Sequence, residues 1–245
     1  LSLEFQFATM CSVTLESATA MKSIHAKQEI CRTMALVAKR FGQRLRVTMS
    51  IVHALFKHEH VALPVAEILQ VAHDDLGEPQ LVGDVVRELG RTESHKLSRD
   101  AAAVKNVGSF VCEIGERLPN LVLSQMSVLL PHLDGESYVM RNAIIHAIAR
   151  VLVLAVGQET SEAAVKTRDS LLDLLQRRAH DVNAFTRSKL LQTWGYLLES
   201  KVVPVKRVPF VAAMATERLE DKSAQVPSPF HSPQDNSSNP TPHHA

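Results

Sequence analysis

The feature that most constrains this chain is an internal repetition. Residues 121–133 read as an apolar helical stretch, followed by the turn Asp134-Gly135-Glu136-Ser137-Tyr138; Val139-Met140-Arg141 then opens a second, more apolar stretch. The same order returns downstream. Residues 171–175 lead to Asp181-Val182-Asn183-Ala184-Phe185-Thr186, and Arg187 opens another apolar stretch. In both copies an Asp begins the turn and an Arg follows six or seven residues later. A third copy starts at residues 210–219 with the turn Asp221-Lys222-Ser223-Ala224-Gln225-Val226, but Pro227 stands where a basic residue is expected. Self-similarity at about 40–47 residues, with two helices per period, predicts stacked helix pairs. One pair cannot bury its apolar faces alone, whereas stacking builds a core in one dimension in which each unit touches its neighbours. The expected fold is therefore all-α, an α-solenoid.

The period is that of HEAT-type helix pairs. In this geometry the Asp is placed to satisfy free backbone N–H groups at the start of the second helix. The Arg is placed to pair with the Asp of its own or a neighbouring repeat, giving a ladder along the stack. Asp134, Arg141, Asp181, Arg187 and Asp221 are thus expected as structural turn residues. Ordinary caps and surface charges in a helical bundle are the competing interpretation, and they do not account for the recurring spacing.

Along the chain, residues 1–21 are ambiguous. Leu1, Leu3, Phe5 and Phe7 alternate with polar residues as in a strand, or belong to the ragged end of a helix. Residues 25–41, 44–57 and 61–72 each carry a helical apolar stripe, and Gly42 ends the first. Residues 81–89 form a short amphipathic helix closed by Gly90. Ser98 is the expected N-cap of a helix at residues 99–118, and Pro119 opens the next. The organisation expected is an uncertain segment 1–24, a solenoid 25–226 and a disordered tail 227–245, whose five prolines and scarce apolar residues cannot offset the entropy of ordering.

Aromatic residues make up only 4% of the chain, so packing rests on Leu, Val and Ala, which suits helix on helix. The net charge of +1 gives no global argument for nucleic acid. Charge is nonetheless segregated. Residues 22–57 are basic and residues 59–93 acidic. Lys39, Arg40, Arg44 and Arg46 flank one helix connection, where they would contact DNA phosphates without reading sequence; the alternative is a solvated face that balances the acids after it. Cys11, Cys31 and Cys112 are widely spaced, show no metal or redox pattern and are expected as reduced core thiols. The most apolar run, 143–156, is shorter than a membrane span and is interrupted by His146 and Arg150. The chain starts at Leu1 with no initiator Met, which is expected of a fragment with artificial ends.

Catalytic patterns are lacking. There is no Gly-rich phosphate loop followed by Lys-Ser/Thr. His53 and His60 would share a helical face, but His58 would not, and no zinc spacing rule is met. Asp74, Asp75 and Asp84 read as solvated turn carboxylates. No catalytic, cofactor or metal residue is expected, nor a small-molecule substrate or a membrane. Ser228-Pro229, Ser232-Pro233 and Thr241-Pro242 are minimal proline-directed phosphorylation patterns in the tail, and no role is assigned to them.

Several longer strings carry a family resemblance. They are Leu81-Val82-Gly83-Asp84, Leu97-Ser98-Arg99-Asp100, Glu116-Arg117-Leu118-Pro119, Gly135-Glu136-Ser137-Tyr138-Val139-Met140-Arg141-Asn142-Ala143, Asp181-Val182-Asn183-Ala184-Phe185-Thr186-Arg187-Ser188-Lys189 and Arg218-Leu219-Glu220-Asp221-Lys222-Ser223-Ala224. In this order they resemble the HEAT-repeat, non-ATPase subunits of condensin over residues 81–226, and more weakly over 42–90. The resemblance implies a non-catalytic scaffold within a large solenoid. It implies partners, namely two ATPases of the structural-maintenance-of-chromosomes class, a kleisin linker and a second HEAT subunit, and action on mitotic chromosomes in the nucleus, with the cytoplasm in interphase as a further location. The second helices of the repeats would line a concave groove for a linker segment. After Val226 the chain departs from the family, which continues with a basic helix, so the tail reads as a truncated or mis-spliced end. A HEAT adaptor of another class, a nuclear transport receptor or a phosphatase scaffold, would share the period but not the Gly135-to-Ala143 string.

Overall fold

The computed structural model describes residues 3–91 and 101–219, and no strand occurs among them. The helices are α1 (Leu3–Glu16), α2 (Ala18–Lys22), α3 (Ile24–Arg40), α4 (Arg44–Lys57), α5 (Ala62–Asp74), α6 (Gln80–Gly90), α7 (Ala101–Arg117), α8 (Pro119–Ser124), α9 (Met126–Leu129), α10 (Tyr138–Val151), α11 (Glu162–Arg177), α12 (Ala184–Glu199) and α13 (Val208–Leu219). Short 3₁₀ turns join several of them, and α10 runs on through a π-helical turn, Leu152–Val156.

The helices stack in two rows. In one, α3 packs on α5, α5 on α7, α7 on α10 and α10 on α12. In the other, α1 packs on α4, α4 on α6 and α6 on α9. Contacts of α1 and α4 with α3, and of α4 with α7, join the rows. The apolar core is one cluster running from Ala8 to Met214, with no break between repeats. This is the all-α solenoid that the period predicts.

Local chemistry explains the elements. Ser17, Ser23, Ser137, Ser161 and Asn183 are N-caps whose side-chain oxygens accept backbone N–H bonds of the first turn. Gly42 and Gly77 turn the chain after α3 and α5 at φ of +62° and +60°, a region where a side chain would be strained. Close approach of α7 to α10 depends on Gly115. A Cβ there would lie 3.2 Å from Ala147 Cα.

Of the two readings left open near the N-terminus, a strand or a helix end, the helix is formed. Residues from Leu3 onward are helical, and Ala8, Cys11 and Leu15 face the core at helical spacing. The alternation of Leu1, Leu3, Phe5 and Phe7 spans too few residues to outweigh that period. The expected cap Ser98, the turn residue Asp221 and the tail 227–245 lie outside the described residues. The helix Tyr138–Val156 is long and apolar enough to cross a membrane, but 61% of its most apolar window is buried inside the stack, as for a core helix.

Candidate protein-interaction surface

Two turns, one before α10 and one before α12, repeat a single device. Arg141 Nη1 donates to the carbonyls of Gly135 (2.7 Å) and Glu136 (3.0 Å). Arg187 Nη1 donates to the carbonyls of Asp181 (2.9 Å) and Val182 (3.3 Å). Each Arg stands four residues after its N-cap, Ser137 or Asn183, and clasps the loop that enters its own helix. The caps, not the aspartates, satisfy the first-turn N–H groups. By this register Gly135, not Asp134, is the counterpart of Asp181, so the two aspartates that look alike in sequence do different work.

Asp181 links the repeats. Arg141 Nη2 donates to its Oδ1 at 3.0 Å, and Arg141 Nε lies 3.0 Å from its Oδ2, close enough for an ion pair but poorly angled for a hydrogen bond. The Arg141 and Asp181 side chains are only 7% and 4% exposed. Asp181 Oδ1 also accepts the N–H of Asn183, which fixes the turn. Asp134 instead points to solvent and takes a hydrogen bond from Arg178 of the next repeat. Asp134, Arg141 and Asp181 therefore meet across one inter-repeat junction with Arg178, and Arg187 holds its own turn.

The row formed by α3, α5, α7, α10 and α12 carries a second polar strip. Lys27 Nζ bonds Glu67 at 3.0 Å, and Arg117 lies near Glu67 (3.8 Å) and Glu113 (3.5 Å) and donates to Gln70 (2.8 Å). Farther along, Glu116 takes Arg150 (2.5 Å) and His146 (2.9 Å), and Arg150 donates to the Tyr196 hydroxyl with its guanidinium carbon 5.3 Å from that ring centre. Burial and the nearby Lys189 hold His146 below its ordinary pKa, against the pull of Glu116. The sequence reading did not single out this chain of contacts. Its signal was present as complementary groups about one repeat apart: 40 residues for Lys27–Glu67, 46 for Arg150–Tyr196 and 47 for Arg117–Gln70.

The basic residues of the first half are placed differently. Arg44 bonds Asp84 (2.6 Å) and Glu78 (3.1 Å) as well as Gln80, so the charge reversal along the chain becomes a junction between α4 and α6. Lys39 donates to the Leu76 carbonyl. Arg40 is exposed and Arg46 half-buried. The histidines also differ from expectation. Helix α4 stops at Lys57, so His60 does not share its face; it bonds the Leu15 carbonyl at 3.3 Å, while His53 and His58 each lie 3.7 Å from a different oxygen of Glu16. Among the described residues, no group of three or more His, Cys, Asp or Glu side chains is arranged to hold a metal ion. Burial pushes the thiols up, Cys31 to about 12 and Cys112 to about 11, with Cys11 also raised.

No family model matches the chain. Against curated proteins, it is 36% identical over 232 residues to condensin complex subunit 1 of Mus musculus, covering 92% of this chain and 17% of that protein. It is 36% identical over 219 residues to condensin complex subunit 1 of Homo sapiens, covering 88% and 16% respectively. It is 32% identical over 226 residues to the condensin-1 complex subunit CAP-D2 of Arabidopsis thaliana, covering 90% and 16%. The chain therefore spans about one-sixth of the length of these relatives, and over most of its own length it is homologous to a segment of condensin complex subunit 1.

Proposed function

We propose that this chain is a non-catalytic scaffold segment of a condensin complex. It holds partner subunits on a rigid stack of helix pairs and leaves ATP hydrolysis to the ATPase subunits. The observation that carries this reading, beside the homology, is the polar strip along α3, α5, α7, α10 and α12. A row of partly exposed charged groups, pre-positioned by contacts between repeats, suits an extended, charged kleisin segment laid across several repeats. The complex acts on mitotic chromosomes, so the chain works in the nucleus and on chromosomes.

The test is recovery of the tagged chain from mitotic extract, scored for the kleisin and for ATPases of the structural-maintenance-of-chromosomes class. Wild-type chain recovers them, and Lys27→Glu combined with Arg150→Glu reduces recovery. Their absence from the wild-type eluate refutes the reading. Contact with duplex DNA through Lys39, Arg40, Arg44 and Arg46 is a separate part of the proposal, narrowed by the commitment of Arg44 to two carboxylates. Arg40→Glu with Arg46→Glu weakens duplex binding at low salt if this part holds; unchanged affinity removes it.

A further inference from the structure

Helices α10 and α12 lie side by side in the stack, and each keeps one partly open stripe. On α10 the stripe holds Tyr138, His146 and Arg150, and the residues between them from Ala143 onward are buried. On α12 it holds Phe185, Lys189 and Tyr196, at positions i, i+4 and i+11 of one helical face. The stripes meet at three levels. Tyr138 and Phe185 stack with ring centres 5.4 Å apart and remain 39% and 46% exposed. Lys189 is close enough to His146 to add to the effect of burial in lowering its pKa. The Arg150 guanidinium carbon sits 5.3 Å over the Tyr196 ring centre. The result is a valley between two inner helices, with an open aromatic platform at one end and an ammonium group about one turn along.

The carboxylates around this valley are taken. Glu116 of α7 holds Arg150 and His146, and Glu113 lies against Arg117. Helix α10 contains no acidic residue, and α12 contains only Glu199, which is about 15 Å farther along the axis than Lys189. Among the described residues Lys189 has no hydrogen-bond or ion-pair partner. One positive charge is therefore unmatched beside the platform. The spacing adds a constraint. Phe185 and Lys189 stand about 6 Å apart along the helix axis. In an extended chain, side chains two residues apart point to the same face at about 7 Å. An apolar residue seated on the platform thus brings the side chain two positions away over Lys189. A nucleic acid suits the valley less well, because a single unmatched cation faces its many phosphates and Arg150 occupies the Tyr196 ring face that a base would need.

We propose that the valley between α10 and α12 docks an extended segment of a partner protein in which a Phe or Leu and an Asp or Glu stand two positions apart. The proposal rests on the reading of the polar strip as a peptide-docking surface, and gives that surface a sequence rule. The apolar residue supplies contact area on the platform, and the carboxylate at Lys189 fixes the register of the segment.

The test is fluorescence anisotropy of the full chain with three labelled nonapeptides. In the first, a central Phe has an Asp two positions away on each side and Ser or Gly elsewhere, so that either chain direction is served. The second has the same composition with both Asp adjoining the Phe. The third has Lys in place of each Asp of the first. The first peptide binds, the second binds at least about fivefold more weakly and the third at least about tenfold more weakly. Lys189→Glu weakens the first peptide about tenfold and strengthens the third, a gain that an unfolded variant cannot show. Phe185→Ser weakens the first about tenfold, and Arg40→Glu, at the end of α3, leaves it unchanged. No binding of any peptide, equal binding of the first two, or affinities unaltered by Lys189→Glu overturns the proposal. So does an oligothymidylate that binds more tightly than the first peptide and is lost in Phe185→Ser. Recovery of the kleisin from mitotic extract separates the two readings. Kleisin recovered while the peptides fail overturns the sequence rule alone; peptides that obey the rule while no kleisin is recovered uphold it and refute the condensin reading.

Discussion

Replacing Asp181 by Asn keeps the shape of the turn and removes one charge from the buried pair with Arg141. The guanidinium then stays enclosed without a counter-charge, keeping the Gly135 and Glu136 carbonyls and a neutral amide oxygen as acceptors. Taking one partner from a buried ion pair costs about 3–5 kcal/mol, and because those two carbonyl bonds survive, the lower end, about 3 kcal/mol, is expected here. For a domain of this size that lowers Tm by about 6–12 °C, a large part of a typical total stability of about 5–15 kcal/mol. Arg178→Ala at the neighbouring Arg178–Asp134 pair is the internal control, because the Asp134 side chain is 76% exposed; there the loss stays under about 1 kcal/mol. Urea unfolding followed by circular dichroism and by the single, fully buried Trp194 of α12 measures both variants. In a stack stabilised by nearest-neighbour interfaces, the Trp194 transition shifts at least as far as the helical signal. The double variant Arg141→Met/Asp181→Asn loses less than the two single variants together, because neither charge is then left unpaired. If Asp181→Asn and Arg178→Ala fall within about 0.5 kcal/mol of each other, the assignment of Arg141–Asp181 as the stabilising junction is refuted.

Gly115→Leu forces α7 away from α10, since even a Cβ meets Ala147 Cα at 3.2 Å; a loss of about 1–3 kcal/mol is expected in the same unfolding assay, and wild-type stability would show that the helices part freely. Burial holds His132 and His146 below the ordinary value of 6.5 in the folded chain. The unfolded chain therefore takes up more protons below pH 6.5, so the stability these groups provide is complete above that pH and is lost as pH falls toward their folded values. Urea midpoints at pH 7.5 and 5.5 show the drop, and His132→Gln makes it smaller; an unchanged drop in that variant removes His132 as a cause. Native chain at pH 8 leaves Cys31 and Cys112 unmodified by iodoacetamide on the timescale that labels the urea-unfolded chain, because burial raises both thiols; equal rates would contradict the packing.

The period and the apolar stripes determined the fold class, because a helical face repeated at constant spacing can be buried only against a neighbour of the same kind. They also placed α4 at Arg44–Lys57 and located the turns that Arg141 and Arg187 clasp. Sequence alone did not assign the partners in the ladder. Asp134 and Asp181 look equivalent along the chain, yet a one-residue offset relative to the N-caps Ser137 and Asn183 leaves one carboxylate in solvent and the other enclosed with Arg141. The basic run was equally ambiguous until α6 and the turn before it brought Asp84 and Glu78 against Arg44. A helix pattern follows from contacts a few residues apart, so it is legible in sequence. Whether a charge is buried, paired or exposed depends on groups about one repeat away, and only the packing of the rows decides that.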